Sequence, residues 1–433
     1  FFMFSGGDRK RQNEKMDEDY LEMDCSSQEN SQDDLVRSAD SGVPNSSFNS
    51  DRSMSSRSGR TSPGVLMSLK KNVDSFYRTP GALKFRRRCP PPDTIQDVIL
   101  GLPDDVLLHI INRLPLLDLV SVMQSCKKFN MIAEASASWR YLDLGERTIP
   151  DDVIRRIIMR GTTVLRLCGT NITRANYEGD NDAFSSKLTH LDLTSLSFIG
   201  DTQSIVTRVV ISSNYLTHLS LSGCDVTLSM ASHLSLNCRL SHLDLSMCGN
   251  LSPSNLSLIL SRAGRTLEEL NVSCSRVGRE GGMTIATNCT AHLLRLDLSG
   301  SATYENPDDS IDDEVVATLV QNCPRLLELH LADSPNISEA AYDSAMELRY
   351  MSYLALSRCY GIHPQVYLSA GRLKYLSIYG LLSEEGVNTL RSRLPDTKIN
   401  ELELAISTVA RPTPAPHVTS LWGIKVRPFV SYS

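Results

Sequence analysis

From Leu142 onward the chain repeats a short phrase, Leu-x-Leu or a close variant, preceded in most copies by another apolar residue three positions earlier. The first leucines are Leu142, Leu165, Leu191, Leu219, Leu243, Leu270, Leu296, Leu329, Leu354, Leu376 and Leu402, spaced 22 to 33 residues apart and 26 on average. That period lies within the ~20–29 residues of a leucine-rich repeat. Alternation within each phrase predicts a short strand with both leucines facing a core. The segment after a phrase, such as the one carrying Leu256, Ile259 and Leu260, predicts a helix on the opposite side. Stacked copies predict an α/β solenoid, with a parallel sheet on the concave face, helices on the convex face and one core shared between neighbours. The single spacing of 33 is explained by an acidic insertion around Tyr304-Glu305-Asn306-Pro307-Asp308-Asp309.

Ahead of the repeats, residues 96–142 follow a helical period. Leu102-Pro103-Asp104-Asp105 reads as a helix start, since Pro suits the first turn and carboxylates there complement the helix dipole. Val106, Leu107, Ile110, Ile111 and Leu114 then form one stripe, Pro115 stops the helix, a second apolar segment runs from Leu116 to Phe129, and Trp139 closes the block. So short a bundle has more apolar surface than it can bury internally, which predicts a permanent partner.

Residues 1–95 have the opposite character. Nine of the 22 residues from Ser41 to Ser62 are serine. Such a segment cannot offset its ordering entropy by burial, so a disordered, regulatory tail is expected. Acidic residues dominate from Asp8 to Asp40 and basic residues from Arg52 to Arg88. Lys84-Phe85-Arg86-Arg87-Arg88 reads either as a nuclear-import signal or as a solvated basic linker. Ser62-Pro63 and Thr79-Pro80 are candidate sites for proline-directed kinases. Nucleus and cytoplasm are the expected locations.

Composition narrows the class. The 433 residues carry 44 Lys+Arg against 50 Asp+Glu, a net charge of -6 that gives no reason to expect nucleic acid as the main partner. No apolar run approaches the roughly 18 residues of a membrane span, and Phe1-Phe2-Met3-Phe4 is too short for a signal-peptide core. The chain opens without Met, as a fragment would. Eleven scattered cysteines without CxxC spacing read as reduced thiols rather than disulfides or zinc ligands. Cys224, Cys248 and Cys359 fall at the repeat's inner turn, and Cys238, Cys289 and Cys323 follow an Asn at the end of a convex helix, where small buried thiols pack. GxSxG, HExxH and P-loop signatures are missing, and Gly278-Arg279-Glu280-Gly281-Gly282 is too short to stand in for one. No catalytic residue, cofactor or metal is therefore expected.

The residue before each phrase and the one inside it should point away from the core. One row then runs His190, His218, His242, Glu269, Arg295, Glu328, Tyr353, Tyr375 and Glu401. The other runs Asp192, Ser220, Asp244, Asn271, Asp297, His330, Ala355, Ser377 and Glu403. A polar, hydrated binding surface is expected, with tyrosines towards its C-terminal end. The three stacked histidines have a spacing feasible for a metal, but an ordinary surface is the simpler reading.

Leu102 to Trp139, LPDDVLLHIINRLPLLDLVSVMQSCKKFNMIAEASASW, resembles an F-box, and an F-box followed at once by cysteine-type repeats resembles the F-box/leucine-rich-repeat family. The phrases Leu356-Ser357-Arg358-Cys359-Tyr360, Ser407-Thr408-Val409-Ala410-Arg411-Pro412-Thr413 and Leu421-Trp422-Gly423-Ile424-Lys425 extend the resemblance to a cell-cycle branch of that family, over about residues 95–433. The resemblance implies a non-catalytic substrate receptor of a Skp–cullin–F-box ubiquitin ligase. Leu102, Pro103, Leu107, Ile110, Ile111 and Leu114 of the F-box (96–142) would hold the Skp adaptor, with cullin and a RING subunit beyond it. The solenoid (143–406) would hold a phosphorylated cell-cycle regulator, such as a cyclin-dependent kinase inhibitor, for ubiquitination and proteasomal degradation. A small Cks accessory protein would help.

Asp333 and Arg358 match the family's partner-binding surface, and with Tyr353 and Tyr375 they place the substrate site. Arg358 would grip a carboxylate through its fork. Two departures, Cys274 where the family has Trp and Ser301-Ala302-Thr303 where it has a basic residue, imply an altered accessory-protein surface.

The tail, 407–433, would fold back along the concave face as in the family, or pack only on the last repeat as its cap. Pro412, Pro414 and Pro416 keep it extended, and Trp422, Ile424 and Val426 alternate like one buried face of an added strand. The competing classes are a leucine-rich-repeat scaffold or inhibitor without a ligase role, which would not need the F-box stripe, and an enzyme.

Overall fold

The computed structural model describes residues 99, 101–173, 186–199, 203–303, 306, 308–401, 407–413 and 420–428. By its contacts the chain divides after Met67, and every described residue belongs to the second unit, 68–433. The expectations for the N-terminal tail, including Ser62, Thr79 and Lys84–Arg88, lie outside the described residues, as do Leu402 and Glu403.

Three helices open the described chain: α1, Asp104–Ile111; α2, Leu116–Ser125; and α3, Lys127–Glu134. Pro103 and Pro115 sit at the caps that start α1 and α2. The Cys126 thiol caps α3 by accepting from the Phe129 amide at 3.5 Å. A 3-10 turn, Ala137–Trp139, leads into the repeats. The Trp139 ring is buried, and its Nε1 donates to the Ala133 carbonyl at 2.7 Å. One continuous core runs from Leu107 of α1 through Trp139 and Leu142 to Ile399. The helical block and the solenoid are therefore packed as one body rather than joined by a linker.

Ten of the phrases form strands of a twelve-stranded parallel sheet, each leucine pairing with the next, as Leu296 does with Leu329. The eleventh position departs from the expected phase. Its strand is Lys398–Ile399, and Ile399, 1% exposed, takes the place opposite Leu376 that the spacing had assigned to Leu402. Helices such as Pro253–Ala263 and Asp313–Asn322 form the other layer. A small three-stranded parallel sheet, Thr148–Pro150, Asn171–Thr173 and Ser197–Ile199, joins the turns of the first repeats.

After each strand formed by a leucine phrase the chain passes through the left-handed region. Glu146, Ser195, Met247, Cys274, Asp333 and Arg358 have φ between 52° and 60°, and glycines such as Gly300 at 64° take this conformation at other turns. This conformation turns each amide onto the next repeat, as when Asp333 N donates to Ser357 O at 3.0 Å and Arg358 N to Tyr379 O at 2.9 Å. It costs a non-glycine residue about 1 kcal/mol or more, and the Asp333 and Arg358 side chains at these turns are half-exposed.

The cysteines of the inner turn are buried, and their thiols donate to carbonyls of the preceding repeat. Cys224 reaches Leu193 O at 3.1 Å, Cys248 reaches Leu221 O at 3.3 Å and Cys359 reaches Leu331 O at 3.1 Å. Burial pushes the Cys224 thiol up to about 12 and that of Cys359 to about 11. Cys289 and Cys323 are also buried, but Cys238 is exposed. The helix before it ends at Leu234, so Cys238 lies in the turn beyond the helix end rather than against it.

Candidate functional site

Helix α1 is apolar on two faces, and packing decides which one remains open. Leu107 and Ile111, four residues apart, are 2% and 3% exposed and belong to the core. They are unavailable to a partner, which corrects their assignment to the adaptor surface. Val106 and Ile110, on the neighbouring stripe, are 40% and 49% exposed and continue the open face of Pro103. Leu102 and Leu114 are half-buried against the core. Lys128 of α3 fastens the start of α1, donating to Leu102 O at 3.0 Å and pairing with Asp104 at 3.3 Å. Val106, absent from the set expected at this surface, was legible only as part of a stripe too wide for one buried face.

On the concave side the rows run as expected as far as Tyr375 and Ser377, where Lys398 rather than Glu401 stands opposite Tyr375, but their N-terminal half is covered rather than open. The rings of His190, His218 and His242 stack face to face, with centroids 4.1 and 4.0 Å apart. Each Nδ1 lies against the hydroxyl one residue earlier, on Thr189, Thr217 and Ser241, at 2.9, 2.9 and 3.0 Å. Stacked rings cannot converge their nitrogens on one ion. Burial and the neighbouring imidazoles lower His190 to about 4 and His218 to about 3, so both are neutral at pH 7.

The second row is buried outright. Asp192, Asp244, Asn271 and Asp297 are at most 2% exposed. Each turns its side-chain oxygen onto the amide two residues ahead, at 3.0, 3.0, 2.9 and 2.9 Å. These Asx turns make the row a ladder that shapes the backbone. Burial raises Asp192 to about 6, opposed by its bonds to Thr194 and by Arg166, which lies 3.6 Å from it and 3.2 Å from Asp143.

The tail covers this half. Val409 and Ala410 are fully buried; Asn271 Nδ2 donates to Val409 O at 3.1 Å, and Ala410 N to Glu269 Oε2 at 2.7 Å. Burial of Glu269 opposes its charge, but bonds from His242 and Ala410 and the nearby Arg295 hold it below the usual carboxylate range. Trp422 Nε1 donates to Ala410 O at 3.1 Å, and its ring lies 5.8 and 5.2 Å from His190 and His218.

The segment from Trp422 to Val426 is not the single added strand that its alternation suggests. Ser420–Leu421 and Ile424–Lys425 form a hairpin that turns on Trp422 and Gly423, with φ of 44° and 80°, the sign a tight hairpin loop needs. The strand that joins the main sheet is Arg427–Pro428, parallel to Tyr141–Asp143, with Leu142 opposite Arg427. Leu421 and Val426 pack on Val164. The described end of the tail thus seals the first repeat, not the last, and the cap reading is corrected.

The C-terminal half presents more side chain. The described tail's hydrogen bonds to the sheet go no further along it than the strand Glu269–Asn271. Beyond it, Tyr353 stacks on His330 at 4.6 Å and tilts against Tyr375 at 5.9 Å, with Lys398 5.6 Å above the Tyr375 ring. Tyr353 is only 6% exposed, so Tyr375 offers the accessible ring face of the pair. Asp333 and Arg358 grip each other: Arg358 Nε and Nη2 meet the two carboxylate oxygens of Asp333. The sequence offers each to a partner separately, whereas the structure presents them as one half-exposed, preformed fork. Tyr360, 72% exposed and beside this pair, was not among the expected site residues. Its only signal is its place two residues after Arg358.

Among the described residues no group of three or more His, Cys, Asp or Glu is placed to hold a metal ion, and no helix is long and apolar enough to cross a membrane.

The chain is similar to several solved structures: a chain of the yeast Rad7–Elc1 complex (14% identity over 72% of this chain and 92% of that one, TM-score 0.40), an internalin, inlF, from Listeria monocytogenes str. 4b F2365 (15% over 68% and 94%, TM-score 0.38), and a chain of the TLR13–ssRNA13 complex (17% over 56% and 45%, TM-score 0.33). The F-box-like family matches residues 99–145, which hold α1–α3 and the first strand of the sheet. The family described as the SKP2 LRR domain matches residues 152–428, from the first convex helix to the strand that closes the sheet. With more than half of its length in that match, the chain belongs to the SKP2 leucine-rich-repeat family, as an F-box/leucine-rich-repeat protein.

Proposed function

We propose that this protein is the substrate-recognition subunit of a Skp–cullin–F-box ubiquitin ligase. The observation that carries the reading is an F-box-like block whose helix α1 leaves Val106 and Ile110 open while its other face is fused into the core of the solenoid. A lone scaffold or inhibitor has no use for that surplus stripe. The stripe holds the Skp adaptor, through which cullin and a RING subunit join. The C-terminal half of the concave face, with Tyr375 and the Asp333–Arg358 fork, holds the substrate.

The proposed substrate is a phosphorylated cell-cycle regulator, such as a cyclin-dependent kinase inhibitor, captured with or without a Cks accessory protein and marked for proteasomal degradation. Cys274, exposed at the left-handed turn, stands where a Cks-facing aromatic would be expected and distinguishes this surface. The chain positions substrate and performs no covalent step itself. Nucleus and cytoplasm are the proposed locations.

The reading is tested by copurification with the Skp adaptor and cullin, followed by capture of a phosphorylated inhibitor by the assembled complex. A chain that binds neither overturns it.

A further inference from the structure

Arg427 has no part in the reading above, yet it joins elements far apart in sequence. Its Nη1 donates to Ser138 Oγ at 2.6 Å and its Nη2 to the carbonyl of Asn112 at 2.6 Å, across 289 and 315 residues. Ser138 lies in the 3-10 turn that carries Trp139, and Asn112 is the C-terminal cap of α1. A guanidinium suits that place, because the last carbonyls of a helix lack partners and carry the negative end of its dipole. Asn112 is tied to the same turn a second time, its Oδ1 accepting from Ser136 Oγ at 2.6 Å.

The segment that presents Arg427 is itself held at both ends. Its strand pairs with Tyr141–Asp143, and Val426 and Leu421 pack on Val164. A few residues earlier Trp422 lies over His190 and His218 and holds Ala410 O, while Ala410 and Val409 are bound by Glu269 and Asn271. A run of contacts therefore leads from the middle of the concave face to the end of α1. Trp139 has anchors of its own, its bond to Ala133 O and the Arg160 guanidinium 4.6 Å from its ring. The end of α1 packs Ile111 in the core and is tied in addition, through Asn112, by Ser136 and Arg427.

We infer that the C-terminal strand is a coupling strap: Arg427 is a positioning residue that holds the end of α1 against the first repeat, and the docking of Trp422 and Ala410 on the concave face keeps the strap closed. A partner that displaces Val409–Ala410 then loosens the F-box end, and one that presses them down stiffens it. The inference rests on the proposed function only in taking these two ends as the substrate and adaptor ends.

Amide hydrogen exchange on the full chain tests it. Arg427→Ala speeds exchange at Asn112, Arg113 and Leu114, whose amides now bond within the turn at 2.9 to 3.1 Å, by about tenfold or more, since bonds to charged groups are the stronger ones. Arg427→Lys does the same, because one ammonium lacks the fork that spans both acceptors. Trp422→Ala, whose ring meets His190 and His218, also speeds these three amides, while Leu329 and Leu331 in the central sheet keep their rates. Unchanged exchange at Asn112–Leu114 in Arg427→Ala, or in Trp422→Ala, overturns the strap. So does a loss of protection that extends to Leu329, which would mean general unfolding. Adaptor binding by the native chain is measured separately: its failure, with the exchange pattern as expected, removes the functional reading and leaves the strap standing.

Discussion

Helix α1 offers the sharpest separation between folding and binding, because neighbouring residues face opposite environments. Full burial of a Val or Ile side chain is worth about 1.5–3 kcal/mol. Val106 at 40% and Ile110 at 49% exposed have close to half of that still to gain from a partner, or about 1 kcal/mol each. The double change Val106→Ala with Ile110→Ala is therefore expected to weaken adaptor affinity by about 2 kcal/mol, roughly 30-fold. It should leave unfolding within about 0.5 kcal/mol per site, as surface changes usually do. Leu107→Ala acts on the other ledger: at 2% exposed it opens a cavity worth about 2–5 kcal/mol of stability. Calorimetric titration with purified Skp adaptor, alongside urea unfolding, reads both quantities for each variant. Undiminished adaptor binding by the Val106/Ile110 variant would refute the assignment of the open face, and a Leu107→Ala protein as stable as the native one would refute its place in the core.

The exposed Asp333–Arg358 pair is worth at most about 1 kcal/mol to folding, so Arg358→Ala should barely move the urea midpoint. In a titration with phosphorylated substrate, with or without a Cks protein, it should cost about 2 kcal/mol or more if the fork becomes buried in the complex; equal capture by Arg358→Ala sends the site elsewhere. Asp192, raised to about 6 by burial, holds its proton more tightly folded than unfolded. Its effect is therefore a loss of stability as pH rises from about 4 to about 6, at most about 3 kcal/mol. Asp192→Asn, which places there the residue that Asn271 already is in the same ladder, should flatten that part of the stability–pH curve; an unchanged slope contradicts the burial argument. Finally, the isolated chain should form no ubiquitin thioester on any of its eleven cysteines. Ubiquitin transfer should appear only when adaptor, cullin and RING subunit are added, and a reducible ubiquitin adduct on a gel of the chain alone would count against a purely positioning role.

Local periodicity was enough for the architecture. A leucine at every other position of a strand must face one way, so the spacing of Leu142, Leu165, Leu191 and their successors determined a stacked parallel sheet and the phase of ten of its strands. The same argument placed the thiols of Cys224, Cys248 and Cys359 at inner turns. It failed where two patterns overlapped or where the answer lay far along the chain. Leu107 and Ile110 are equally apolar, and only the packing of α1 into the shared core decided which was buried. Leu402 fits the phrase, but pairing with Leu376 selected Ile399.

Tertiary structure alone decided the fate of the tail. The alternation of Trp422, Ile424 and Val426 carries a strand signal, yet the chain turns as a hairpin on Trp422 and Gly423, with the indole against the histidine stack. Arg427 finds Ser138 and Asn112 across some 300 residues, a distance no periodicity encodes. Asp333 and Arg358 could be recognised one by one as rim residues, but their union needed the 25-residue repeat to bring two turns side by side. Sequence determines which side of an element is apolar because that is a property of neighbours three or four residues apart; which surface finally covers that side depends on the free energy of contacts assembled only when the whole solenoid closes.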